Sequence, residues 1–112
     1  MDDKLPLSHA AFVEENKITK YLLDLTSEDG ESKARFFLAR GFTISGWEAF
    51  ADALVVQGKT NTVTKVTPNP FGDRYQVDCN CPTPDKMNPC IRTVWELKEG
   101  SVSPRLITAH PI

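Results

Sequence analysis

The sequence predicts an α+β fold: about three N-terminal helices packed on a four-stranded antiparallel β-meander. Two observations carry that reading. The apolar period is helical up to about residue 58 and switches to two from residue 59. The β-rich half is broken at short intervals by Pro- and Gly-containing turns, as in strands joined in sequence order. At 112 residues, with 40% apolar and 25% charged side chains, the chain is expected to form one domain over 1–112 without needing disulfides for its core. Within it, residues 1–14 read as a lead-in, 15–58 as a helical half and 59–111 as a sheet half.

The lead-in carries Pro6 with scattered Leu5, Leu7, Phe12 and Val13, an extended segment that docks on the body. Residues 15–25 read as a helix because Ile18, Tyr21, Leu22 and Leu25 recur at i, i+3, i+4 and i+7, and Gly30 closes the polar connection that follows. Residues 32–40 form a second helix, with Ser32 as N-cap, Gly41 at C′, and Ala34, Phe37 and Leu38 on one face. Residues 46–57 form a third, opened by a Ser45-Gly46-Trp47-Glu48 capping box and ended by Gly58.

The strands follow at 60–67, 74–79, 90–98 and 104–109. The first is rich in Thr and Val and stops at Pro68. In the third, Thr93, Trp95 and Leu97 alternate with Arg92, Val94, Glu96 and Lys98, so one set faces the helices and the other an open face.

Charge and composition exclude several classes. The net charge is −2, against a general nucleic-acid-coating protein. It is uneven: residues 1–56 hold 6 Lys/Arg against 10 Asp/Glu, and residues 57–112 hold 7 against 5. No apolar run approaches the length of a membrane span, and the start lacks a signal peptide's apolar stretch, so the expectation is a cytoplasmic protein that does not enter a membrane. Three cysteines, Cys79, Cys81 and Cys90, read as free thiols, with Cys79 and Cys90 neighbours across the Pro-rich connection. Their spacing lacks the paired pattern of structural zinc, so neither a metal nor another cofactor is expected.

Two constellations can carry chemistry. Asp78 on one strand and Glu96-Leu97-Lys98 on the next match the arrangement of Mg²⁺-dependent PD-(D/E)xK nucleases, where acids hold the metal and lysine steadies the attacking water. Arg92, Arg105, Thr108 and His110 converge if the last two strands pair. Metal-free RNA cleavage needs such a set: His110 as base or acid, Arg92, Arg105 and Lys33 to hold phosphate, and Thr93 and Thr108 to orient it.

Lys33-Ala34-Arg35-Phe36-Phe37, Gly41-Phe42, Trp47, Arg92-Thr93-Val94-Trp95 and Pro104-Arg105-Leu106-Ile107-Thr108-Ala109-His110-Pro111 resemble, in order, the motifs of a small uncharacterised bacterial domain family. A helical first half, a four-stranded antiparallel sheet and the Thr-Ala-His-Pro close are more loosely similar to the barnase, EndoU, colicin E5/D and RelE group of endoribonuclease toxins. That resemblance implies metal-independent RNA cleavage on the open sheet face, with His110, Arg105, Thr108 and Arg92 as catalytic positions and Lys33 and Thr93 binding substrate. Loss of activity on Arg105→Ala or His110→Ala with the fold unchanged is the expectation. The alternative is a non-catalytic protein-binding module, a toxin partner or mobile-element accessory protein. It fits the acidic pI, the acidic run at Glu28, Asp29 and Glu31, and Ser32 where such toxins place a helix-start histidine. The PD-(D/E)xK nuclease stands third. RNA or a cognate protein is the partner expected.

Overall fold

Four antiparallel strands make one sheet in the order of the sequence: β1 (Thr62–Thr67), β2 (Gly72–Asn80), β3 (Cys90–Lys98) and β4 (Arg105–Pro111). Three helices cover one of its faces: α1, which is α-helical over Glu15–Lys17 and π-helical over Ile18–Leu22, then α2 (Glu31–Ala39) and α3 (Trp47–Thr60). This computed structural model describes residues 3–26, 28 and 30–112. The α+β meander is therefore the architecture the period change predicts. No described helix is long and apolar enough to cross a membrane.

The lead-in runs between the two sheet edges. The Val63 amide donates to the Asp3 carbonyl, and the Phe12 backbone exchanges bonds with Pro104 and Leu106. Its Leu5 is buried in the core.

The helix ends depart from the sequence reading for local reasons. α1 stops at Leu22; the Leu23 amide reaches back five residues to Ile18, a π-type bond, and Leu25 is 50% exposed rather than part of the apolar stripe. Gly30 precedes α2 instead of closing α1, so Gly30 is the N-cap and Ser32 lies inside the helix. At the other end of α2, the Gly41 amide bonds to Leu38 and the Phe42 amide to Phe37. That is a Schellman close, with Gly41 at φ +105° as its glycine.

The capping box does not form either. Gly46 occupies the N-cap of α3, and its amide bonds to the Thr43 hydroxyl at 3.0 Å. Nor does Gly58 end α3. It lies within the helix, where a Cβ would stand 2.7 Å from the Trp95 ring, so its role is close approach between helix and sheet.

Trp95, Phe37, Phe50, Ile18, Leu54 and Leu106 are buried between the layers. Phe50 touches both Phe37 and Phe42, with ring centroids 4.7 and 4.4 Å away. One polar device ties the layers together. Buried Gln57 donates to the Val77 and Ile91 carbonyls at 3.0 and 3.1 Å, its Oε1 accepts from Thr93 at 2.7 Å, and Thr93 accepts from Trp95 Nε1 at 2.8 Å. Thr93 thus spends its hydroxyl in the core.

The cysteines are not three free thiols. Cys79 and Cys90 form a disulfide across β2 and β3, closing the Pro-rich loop. Cys81 alone is free and is buried; burial pushes its thiol up to about 12.

Candidate functional site

Register decides what shares the open face. Arg92 pairs across to Asp78 on β2 and to His110 on β4; Val94 pairs with Gln76 and Thr108; Glu96 pairs with Arg74 and Arg105. The β3–β4 register slips between Val94 and Trp95, which makes Ile107 the extra residue and keeps Arg105, Thr108 and His110 on one face. The structure brings Arg92, Thr108 and His110 to adjoining positions, with Arg105 further along β4. Thr93 points the other way and is buried, so it cannot bind a substrate on this face.

Both arginines are engaged. Arg92 holds Asp78 through two nitrogens, at 2.9 and 3.1 Å, and Thr64 donates to the same carboxylate. Hydrogen bonding to Arg92 is the largest effect on Asp78 and keeps its carboxyl below the usual range despite partial burial; His110 adds to the lowering. Arg105 pairs with Glu96 at 3.3 Å and with Glu14 at 3.1 Å, and Arg74 reaches Glu96 at 3.4 Å.

This arrangement overturns the PD-(D/E)xK reading. Asp78 belongs to the Arg92 row and Glu96 to the Arg74 row, four residues along the strand. That is about 13 Å at strand rise, too far for one Mg²⁺ to bridge. Among the described residues, no group of three or more His, Cys, Asp and Glu is placed to hold a metal ion.

The chemically distinctive cluster lies at the β4 edge. Lys33, from the first turns of α2, donates to the Tyr21 hydroxyl and approaches the Thr108 hydroxyl at 3.4 Å. Its ammonium stands 4.9 Å from the Tyr21 ring centroid, and that of Lys17 stands 5.4 Å away. Partial burial pushes the Tyr21 phenol up. Hydrogen bonds from Lys33 and Thr108, with the charges of Lys33 and Lys17, outweigh it, so the phenol is more acidic than an ordinary tyrosine. Thr108 and His110 alternate along β4, so the imidazole lies on the same face as the Lys33 contact.

Sequence reasoning missed Tyr21, which it placed in the apolar stripe of the first helix. Its hydroxyl, with Lys17 one helical turn before it, was the available signal.

The sequence profile of a family described as Domain of unknown function (DUF6883) matches residues 4–112. The chain belongs to that family. The motifs from Lys33 to Pro111 all fall within the matched span, and no curated protein matches the chain. Among solved structures, a chain described as "Contact-dependent growth inhibition toxin - immunity protein complex from Klebsiella pneumoniae 342" is similar, with a TM-score of 0.70 at 17% identity. The match covers 89% of this chain and 98% of that one. At that identity the likeness shows that the DUF6883 chain shares a fold; its chemistry rests on its own residues.

Proposed function

We propose that this DUF6883 chain is a toxin-type endoribonuclease domain that cleaves RNA without a metal ion, at the β4 edge of its open sheet face. The observation that carries this reading is the Lys33 ammonium between the Tyr21 and Thr108 hydroxyls, on the strand that bears His110. The likeness to a chain from a toxin–immunity complex supports it.

The chemistry is an internal transesterification. The ribose 2′-oxygen bonds to phosphorus as the bond from phosphorus to the 5′-oxygen breaks. The products are a 2′,3′-cyclic phosphate and a 5′-hydroxyl. His110 takes the 2′-hydroxyl proton, imidazole being the side chain suited to that exchange near neutral pH. Tyr21, acidified by its neighbours, gives a proton to the departing 5′-oxygen. Lys33 faces the negative charge that grows on the phosphoryl oxygens, and Thr108 fixes the ammonium. Arg92 is held by Asp78, so it serves this centre through the Asp78–Arg92–His110 row.

Total RNA incubated with purified protein in EDTA tests this, beside Tyr21→Phe and His110→Ala. Cleavage in EDTA that both variants lose is the expected result. Cleavage that requires Mg²⁺, or that survives both variants, refutes it.

A cognate protein partner also fits, because the similar chain comes from a complex of two proteins. A second reading, a non-catalytic partner-binding module, draws on the same likeness and on the acidic first half; Asp29 of its proposed acidic run lies outside the described residues. Folded protein that cleaves no RNA under either condition favours it.

A further inference from the structure

Beside the Tyr21–Lys33–Thr108 centre, a pocket of about 250 Å³ opens between α1 and the start of β4. Glu14, Asn16, Lys17, Lys20, Tyr21 and Arg105 line it: three cations against one carboxylate. Tyr21 lines this pocket and also accepts from Lys33, so pocket and reaction centre share a wall. The wall is built on the π-helical turn Ile18–Leu22, a rare geometry that recurs at functional sites.

The two acids that hold Arg105 differ in kind. Glu96 is 5% exposed and is shared with Arg74, a fixed support that orients the guanidinium. Glu14 is 53% exposed, a water-screened counter-ion that a stronger anion can displace. Lys20 lines the same pocket, and Asp24, an acid that feels its charge, spends a carboxylate oxygen on the Thr26 amide and hydroxyl. A guanidinium aimed by a buried acid, flanked by two ammonium groups and an exchangeable carboxylate, is the chemistry of a phosphate site.

We propose that this pocket binds a backbone phosphate flanking the cleaved bond, so that a single RNA strand runs along β4 from His110 toward Arg105. The proposal rests on the RNA-cleavage reading above. Thr108 and Arg105 pair with Val94 and Glu96, two residues apart on β3, so across the Ile107 bulge they stand about 7 Å apart along the sheet, a distance a stacked nucleic-acid strand covers in about two nucleotides and an extended one in about one. Lys33 meets the scissile phosphate, and Arg105, Lys17 and Lys20 meet a flanking one.

The test uses a fluorescein-labelled single-stranded RNA with 2′-O-methyl at every ribose, which cannot be cleaved. Its binding to the full chain is followed by anisotropy in EDTA over a range of salt. Lys20→Ala is expected to weaken binding about five- to ten-fold and to flatten the salt slope by about one. Glu14→Gln is expected to tighten it, because a competing carboxylate is gone; weaker binding by Lys20→Ala alone cannot mimic that opposite sign. With cleavable RNA, Lys20→Ala raises KM more than it lowers kcat, and the deficit shrinks on a dinucleotide. Wild-type affinity in both variants overturns the proposal, as does displacement of the RNA from the pocket by polyglutamate at lower concentration than by oligonucleotide, which assigns it to an acidic protein. The two readings fail separately. A chain whose binding of the methylated RNA responds to both Lys20→Ala and Glu14→Gln, yet which cleaves nothing, loses the catalytic reading and keeps the pocket. A chain that cleaves RNA with both pocket variants silent keeps the catalysis and loses the pocket.

Discussion

Lys33→Ala separates chemistry from folding. The side chain is half-buried, and its ammonium makes one hydrogen bond to Tyr21, a long one to Thr108 and a contact with the Tyr21 ring. A hydrogen bond involving a charged group contributes about 1.5–3 kcal/mol and an exposed cation–π contact about 0.5–1. Solvent access puts the sum here near the low end, about 2 kcal/mol. Against a typical stability of at least about 5 kcal/mol, about 3 remain, and about 99% of the protein stays folded. Activity, by contrast, should fall by about 10²–10³, the usual cost of removing a donor aimed at developing charge. Unfolding cannot supply such a loss.

A second readout needs no substrate. The chain has two tyrosines, so in a Tyr75→Phe background the ultraviolet titration of tyrosinate reports Tyr21 alone. Partial burial pushes that phenol up, and Lys33 is the main group pulling it down. Lys33→Ala must therefore move the titration to higher pH. Cleavage within about two-fold of wild type, or an unmoved titration, would refute the assignment of Lys33 and Tyr21 to one site.

Other perturbations have equally definite signs. Asp78 is held below its ordinary pKa by Arg92, so the stability it contributes is present above about pH 4 and is lost as pH falls through the folded value. Arg92→Gln should be less stable than wild type in urea at pH 7, with the gap closing below about pH 4. Gly58→Ala gains helix propensity but drives a methyl into Trp95, and thermal melts should show a net loss of about 1–3 kcal/mol. Reducing the Cys79–Cys90 bridge, which closes a short loop, should lower stability by about 3 kcal/mol. Cys81, buried with its thiol pushed up to about 12, should resist iodoacetamide at pH 8 until the protein is unfolded.

The parts of the fold set by local chemistry were legible. The period switch near residue 59 located the sheet, and the glycine after Arg40 located the close of α2, because a left-handed residue there has few alternatives. The parts set by tertiary packing were not. Gly58 reads as a helix stop in one dimension; only the Trp95 ring above it shows why a side chain is excluded. Ser45 and Glu48 have capping-box spacing, yet Thr43 takes the amide of Gly46, since both signals compete for one turn.

The candidate site divides along the same line. Alternation on β4 put Thr108 and His110 on one face and is a local rule. Alternation also put Thr93 beside Trp95 on the helix-facing side, and that argument should have removed Thr93 from any substrate-binding set, as its bond to Gln57 shows. Tyr21 was out of reach for a different reason. A 3.6-residue period makes it one more stripe residue between Ile18 and Leu25, but the π turn ends the helix at Leu22 and leaves the phenol at the sheet edge. What then makes Tyr21 chemically distinct is an ammonium 12 positions later in the chain, and that meeting exists only once α2 packs beside α1 over β4. The two ion-paired arginines teach the converse. Counting cations on the last two strands predicts a cationic face, whereas register pairs Arg92 with Asp78 and Arg105 with Glu96, leaving Lys33 as the ammonium that meets the Thr108 hydroxyl of β4. The catalytic proposal therefore stands on a lysine supplied by a helix rather than on the arginines of the strands.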